Sequence, residues 1–190
     1  MRLFLILPGF FVFSITVPLS ATVPKNETTV NGTSKQNTYC PDPRRASPFL
    51  RAHHFGRADS LYTTDPNEHE WFVSKLGYTN MGFTGHIFNY KEGPYTYPLY
   101  RLWNPRLTDH FYTTDDYEAK TYQREYGYIN DTRSIAGYVY KQERCNSVPL
   151  YRAYRVASAH HLYTTDYSEW TRAIRHQGYH YEGIVAYVHW

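Results

Sequence analysis

Leu/Phe-Tyr-Thr-Thr-Asp occurs three times in this chain, ending at Asp65, Asp115 and Asp166, and the residues around it keep step. Pro48-Phe49-Leu50-Arg51, Pro98-Leu99-Tyr100-Arg101 and Pro149-Leu150-Tyr151-Arg152 each open fourteen residues before the tyrosines Tyr62, Tyr112 and Tyr163. Fifteen residues after each tyrosine comes Gly-Tyr, at Gly77, Gly127 and Gly178. The copies close on similar apolar runs, Gly82-Phe83-Thr84-Gly85-His86-Ile87, Ser134-Ile135-Ala136-Gly137-Tyr138-Val139 and Gly183-Ile184-Val185-Ala186-Tyr187-Val188. Only the second copy has two extra residues before this run, around Asn130-Asp131, which reads as an exposed loop. Matching intervals without gaps mean that one supersecondary unit is built three times.

Each unit reads as strand, strand, helix, strand. The Pro-Leu-Tyr-Arg and Tyr-Thr-Thr segments are aromatic and β-branched, which suits a half-buried pleat. Asp65, Asp115 and Asp166 stand three residues before Glu68, Glu118 and Glu169, an N-cap followed by an acid in the first turn. Pro66 fits the first helical position, and Gly77, Gly127 and Gly178 suit left-handed C-terminal caps. The inward stripes are His69, Phe72, Val73 and Leu76; Ala119, Tyr122, Gln123 and Tyr126; and Trp170, Ala173, Ile174 and Gln177. The expected fold is α+β and β-rich, with three such units (48–90, 98–140, 149–190) around a pseudo-threefold axis, strands inward and helices outward. An open solenoid would leave two raw ends to cap.

The remaining features point to export. Residues 1–21 read as a signal peptide: Arg2 is followed by an apolar run to Val17, and Ser20-Ala21 offers a cleavage site. The run is short and interrupted by Pro8, Gly9 and Pro18, so no membrane insertion is expected after cleavage. Residues 22–45 read as a flexible leader before a single domain over 46–190. Asn26, Asn31 and Asn130 head N-glycosylation sequons. Cys40 and Cys145, the sole cysteine pair, are expected to close a disulfide in an oxidising compartment. A net charge of +3 without a Lys/Arg block argues against a nucleic-acid partner.

The second copy resembles a known family through Leu99-Tyr100-Arg101, Asn104-Pro105, Asp109-His110-Phe111-Tyr112-Thr113-Thr114, Gly127-Tyr128 and Ile135-Ala136-Gly137-Tyr138-Val139. These residues look like the "HFYT" repeat, a domain of unknown function in secreted bacterial and fungal proteins, often beside carbohydrate-active or peptidase modules. The resemblance covers Pro48 to Trp190. Copy three keeps His161-Leu162-Tyr163-Thr164, while copy one has Ser60 in the histidine's place. It implies fold and secretion and carries no activity.

The candidate binding residues are Trp103, His110, Tyr112, Tyr154, His161 and Tyr163. His110 and Tyr112, and likewise His161 and Tyr163, sit where they could line a pocket; the more economical reading is that they hydrogen-bond neighbouring strand ends and hold the units together. Trp103 and Tyr154 hold the same place in their units, with His53 in the first, and aromatic faces beside polar turns suit sugar rings. The pairs His53-His54 and His160-His161 alternate across a strand, so neither chelates well, and no metal or cofactor is expected. Residues that differ between copies, such as Lys91-Glu92, Arg172 and Arg175, are mostly surface types and assemble no catalytic set. The 21 tyrosines, beside 10 Phe and 4 Trp, supply contact area with polar tips. The expectation is a secreted, non-enzymatic structural or interaction protein whose partners are extracellular matrix components or glycans. A multivalent lectin-like module is the alternative, and a secreted hydrolase the third.

Overall fold

The five-residue segments Asp-Ser-Leu-Tyr-Thr, Asp-His-Phe-Tyr-Thr and His-His-Leu-Tyr-Thr are buried at every position, although their first two residues are polar. Buried on both faces, they cannot be the surface strands of an ordinary two-layer sheet, and their polar side chains must find partners inside. The computed structural model describes residues 39–190, and these segments are strands β2 (Asp59–Thr63), β5 (Asp109–Thr113) and β8 (His160–Thr164). Each is preceded by a longer strand, β1 (Ala46–His54), β4 (Tyr97–Asn104) or β7 (Val148–Arg155). Each is followed by a helix, α1 (Pro66–Leu76), α2 (Asp116–Glu125) or α3 (Tyr167–His176), and a last strand, β3 (Thr79–Phe88), β6 (Ile129–Val139) or β9 (His180–Val188).

The molecule is therefore β-rich with three helices among the described residues, and its strands form two antiparallel sheets. Six strands run in the order β2-β1-β3-β6-β4-β5, and three in the order β8-β7-β9. Within a unit the long first strand lies between the other two. The six-stranded sheet is continuous through a single pair, Phe88 with Tyr138. Strand β9 touches the same region through two isolated bridges, His189 with His86 and Tyr187 with Tyr140. The backbones come close there: a Cβ on Gly137 would meet the Phe88 carbonyl oxygen at 2.9 Å, so only glycine fits.

Local signals form the helices as expected. The side chains of Asp65, Asp115 and Asp166 accept from the backbone N–H groups of Asn67, Tyr117 and Ser168, at 2.7–2.9 Å. Gly77, Gly127 and Gly178 have φ of 73–76°, and the following tyrosine N–H turns back to Phe72, Tyr122 or Ala173. The inward stripes hold in part. His69, Ala119, Trp170 and Ala173 are buried, but Tyr126 is 57% exposed.

The extra residues of the second unit do not form a loop. They lie inside β6, where the register against β4 slips between Tyr100–Ile135 and Leu102–Asn130. The other units have smaller slips at the same place, so the sheet absorbs the insertion by widening an existing bulge. Asn130 is exposed there and accepts from Gln123 Nε2 at 2.6 Å.

Cys40 and Cys145 form a disulfide with Cα atoms 5.6 Å apart. It joins the segment leading into β1 to the segment leading into β7. The signal peptide expected at 1–21 and the sequons at Asn26 and Asn31 lie outside the described residues. Among those that are described, no helix is long and apolar enough to cross a membrane.

Candidate functional site

The three buried tyrosines of the motif meet one another. Tyr112 Oη accepts from the Tyr62 N–H and donates to its carbonyl, at 2.8 and 2.9 Å. Tyr163 Oη does the same to the backbone of Tyr112, and Tyr62 Oη to that of Tyr163. The rings are edge-on to one another with centroids 5.2–5.5 Å apart. Each phenol thus closes backbone groups of another unit that would otherwise be orphaned in the core. Burial pushes the Tyr62 hydroxyl up to about 12, so it stays a neutral donor.

Around this centre, each pair of units shares a seam. At the first seam, Asp59 of unit one accepts from the His110 N–H (3.0 Å), His110 Nδ1 (2.8 Å) and Tyr78 Oη (2.5 Å). His110 Nε2 faces a second carboxylate, Asp131, at 3.4 Å. Burial alone would lower the His110 pKa, but the flanking carboxylates outweigh it and raise it to about 9. Burial likewise works against the Asp59 carboxylate, and the imidazolium with its hydrogen bonds prevails, holding the pKa below the usual value. Beside this pair Arg101, 1% exposed, makes a two-pronged bond to Glu68 at 2.8 and 3.0 Å and reaches Asp131 at 2.9 Å.

The second seam repeats this chemistry one unit on. Asp109 accepts from the His161 N–H (2.9 Å), His161 Nδ1 (2.6 Å) and Tyr128 Oη (2.6 Å). Arg152 makes the same two-pronged bond to Glu118, at 2.7 and 3.0 Å. Here Glu182 takes the place of Asp131 and lies farther from the imidazole, 3.8 Å from His161 Nε2.

At the third seam the acid is gone. His160 stands where Asp59 and Asp109 stand, and Ser60 where the histidines stand. Ser60 Oγ bonds His160 Nε2 and His53 Nδ1, both at 2.9 Å, and His160 Nδ1 meets Tyr179 Oη at 2.5 Å. Burial, reinforced by His53, pushes His160 down to about 3. Arg51 holds Glu169 through one nitrogen at 2.8 Å, and exposed Met81 replaces the second acid.

The sequence-selected residues thus separate. Tyr112 and Tyr163 are wholly inside, in the tyrosine cycle. His110 and His161 are buried at the seams, 3% and 2% exposed, each packed at a tilt against its unit's half-buried aromatic: the ring centroids of Trp103 and His110 are 4.5 Å apart and those of Tyr154 and His161 4.4 Å. Asp59, Asp109 and the Arg–Glu pairs were not singled out as site residues. The signal that could have exposed them is the recurrence of opposite charges at fixed places in every copy. Among the described residues, no group of three His, Cys, Asp or Glu side chains is placed to hold a metal ion.

One concave place combines these elements with solvent access. A cleft of about 250 Å³ at the second seam is lined by Leu107, Tyr122, Tyr126 and Tyr128 of unit two and Tyr154 and His161 of unit three. Tyr122 is stacked flat on Phe111, with centroids 3.7 Å apart, which fixes the cleft's inner wall.

Fold and site together define a disulfide-closed β-rich domain, its three units locked by buried polar contacts. Residues 48–189 match the family described as Domain of unknown function (DUF5648), and the chain belongs to it. No curated protein and no solved structure matches the chain.

Proposed function

We propose that this is a secreted, non-enzymatic extracellular interaction module, three HFYT-type repeats set about a pseudo-threefold axis. The observation that carries the reading is where the recurring polar residues are used. The tyrosine cycle and the Asp–His and Arg–Glu pairs all run from one unit to the next, so the motif serves as mortar. A rigid frame of this kind suits a protein that presents its surface to matrix components or glycans outside the cell. The cyclic bonds Tyr62–Tyr112–Tyr163 and the three bridges among β3, β6 and β9 support closure about an axis over an open stack. The disulfide and the exposed Asn130 sequon support an oxidising, glycosylating route.

Expression of the full chain in a secretory eukaryotic cell line tests this reading. The expected product is in the medium, shortened near residue 21, and loses mass on N-glycan removal unless Asn26, Asn31 and Asn130 are all replaced. Retention of unprocessed, unglycosylated protein inside the cells would overturn it. So would hydrolytic turnover that is lost in His110→Ala while the melting temperature is kept.

A further inference from the structure

We propose that the cleft at the second seam binds a sugar ring, and that it is built once, not three times. The proposal rests on the interaction-module reading and names the ligand class of one place on its surface. Four features carry it.

The walls are aromatic faces at different levels: Tyr126 is 57% exposed, Tyr154 is half-buried, and Tyr122 is held behind them by Phe111. Such faces stack on the C–H side of a pyranose. Second, Tyr128 Oη is committed to Asp109, while the hydroxyls of Tyr122, Tyr126 and Tyr154 have no protein partner among the described residues. They supply donors and acceptors at the rim, where ring hydroxyls project.

Third, His161 lines the cleft, and its Nε2 is buried without a hydrogen-bond partner. Glu182 lies outside the lining, 3.8 Å from that nitrogen, and is paired with Arg152 Nε at 3.1 Å. A ring hydroxyl at about 2.8 Å would satisfy His161 Nε2. At the first seam the corresponding nitrogen, His110 Nε2, is taken up by Asp131 at 3.4 Å.

Fourth, the other seams lack the wall. At the places of Leu107, Tyr122, Tyr126 and Tyr154, the first seam has Arg57, Phe72, Leu76 and Trp103, which removes all three free hydroxyls. The third has Ser158, Ala173, Gln177 and His53, which removes the aromatic faces. A quaternary ammonium would also be drawn to tyrosine faces. It would leave the rim hydroxyls and His161 Nε2 unanswered, so the arrangement favours a polyhydroxylated ring.

The test uses the secreted full-length protein on an array of neutral mono- and oligosaccharides, followed by titration calorimetry with the best binder. Tyr126→Ala and Tyr154→Ala are expected to weaken binding about tenfold or more, the scale of one lost aromatic stack. Gln177→Ala, at the place of Tyr126 in the third seam, should leave it unchanged, with one bound sugar per chain. Tyr126 is exposed, so its variant should keep the parent melting temperature and reports on binding even if Tyr154→Ala unfolds. A blank array with correctly secreted, folded protein would overturn the sugar site and leave the scaffold reading standing. Saturable binding of tetramethylammonium instead of sugars, a stoichiometry of three, or equal loss in Gln177→Ala would each overturn it as well.

Discussion

The first and third seams share one backbone plan and solve its polar problem in opposite ways. At the first, Asp59, His110 and Asp131 form a buried charged chain, with Arg101 and Glu68 beside it. At the third, Ser60, His160 and His53 form a neutral one, and Arg51 keeps a single bond to Glu169. The left-handed residue before each strand, Ala58, Thr108 or Ala159, is the same device in all three units, so the backbone is not what differs. What the third seam lacks in charge it gains in covalency, since the disulfide joins the approach to unit one to the approach to unit three. Units one and two are joined by continuous chain, as are two and three. Units one and three are consecutive only in space, and the cross-link stands in for the missing linker.

Breaking that cross-link should have the largest effect. The loop from Cys40 to Cys145 is long, so Cys145→Ala is expected to cost about 4–5 kcal/mol, read as a lower denaturation midpoint in urea. Removing the acid of the charged seam comes next. Asp59→Ala leaves the His110 imidazole buried against one carboxylate and should cost about 3–5 kcal/mol. Ser60→Ala, its counterpart in the neutral seam, should cost only about 1–3 kcal/mol. Equal losses in these two variants would erase the distinction between the seams.

The pH response should separate them by sign. His110 titrates near 9 when folded and near 6.5 when unfolded, so its stabilisation is complete below about 6.5 and fades as pH rises to about 9. His160 titrates near 3 when folded, so the unfolded chain binds the extra proton and stability fades as pH falls from about 6.5 to about 3. Urea midpoints across pH should peak near 6–7. His110→Gln should flatten the alkaline limb, and His160→Gln should soften the acid limb. The smallest effect concerns the common backbone. Thr108→Gly relieves a β-branched residue at φ 55° and should stabilise by about 1 kcal/mol, with smaller gains at Ala58 and Ala159, by thermal melts.

Much of each unit is legible because its signals are local. An aspartate caps a helix two residues on, a glycine ends it, and alternation marks the strands; all act within a turn or a pleat. The widened bulge in β6 was read as a loop because an insertion looks the same in sequence whether a sheet absorbs it or expels it. The site was less legible. His110 and His161 were grouped with Tyr112 and Tyr163 of their own units, but the acids they bond lie 51 and 52 residues earlier, in the preceding unit. Tyr126 was placed on the inward stripe and is instead a cleft wall, because helix periodicity gives a direction and not what faces it.

By itself, then, the amino-acid sequence determined the unit: the order of its strands and helix, where the helix starts and stops, and that three copies follow one another. Tertiary structure decided what the recurring residues are for. A tyrosine that looks like a strand end became a donor to another unit's backbone, and the cysteines became a clasp between units that no linker joins. Capping and alternation are set by bonds between near neighbours. A seam depends on which surfaces meet, and that is fixed only when the units are packed and every buried polar group must find a partner.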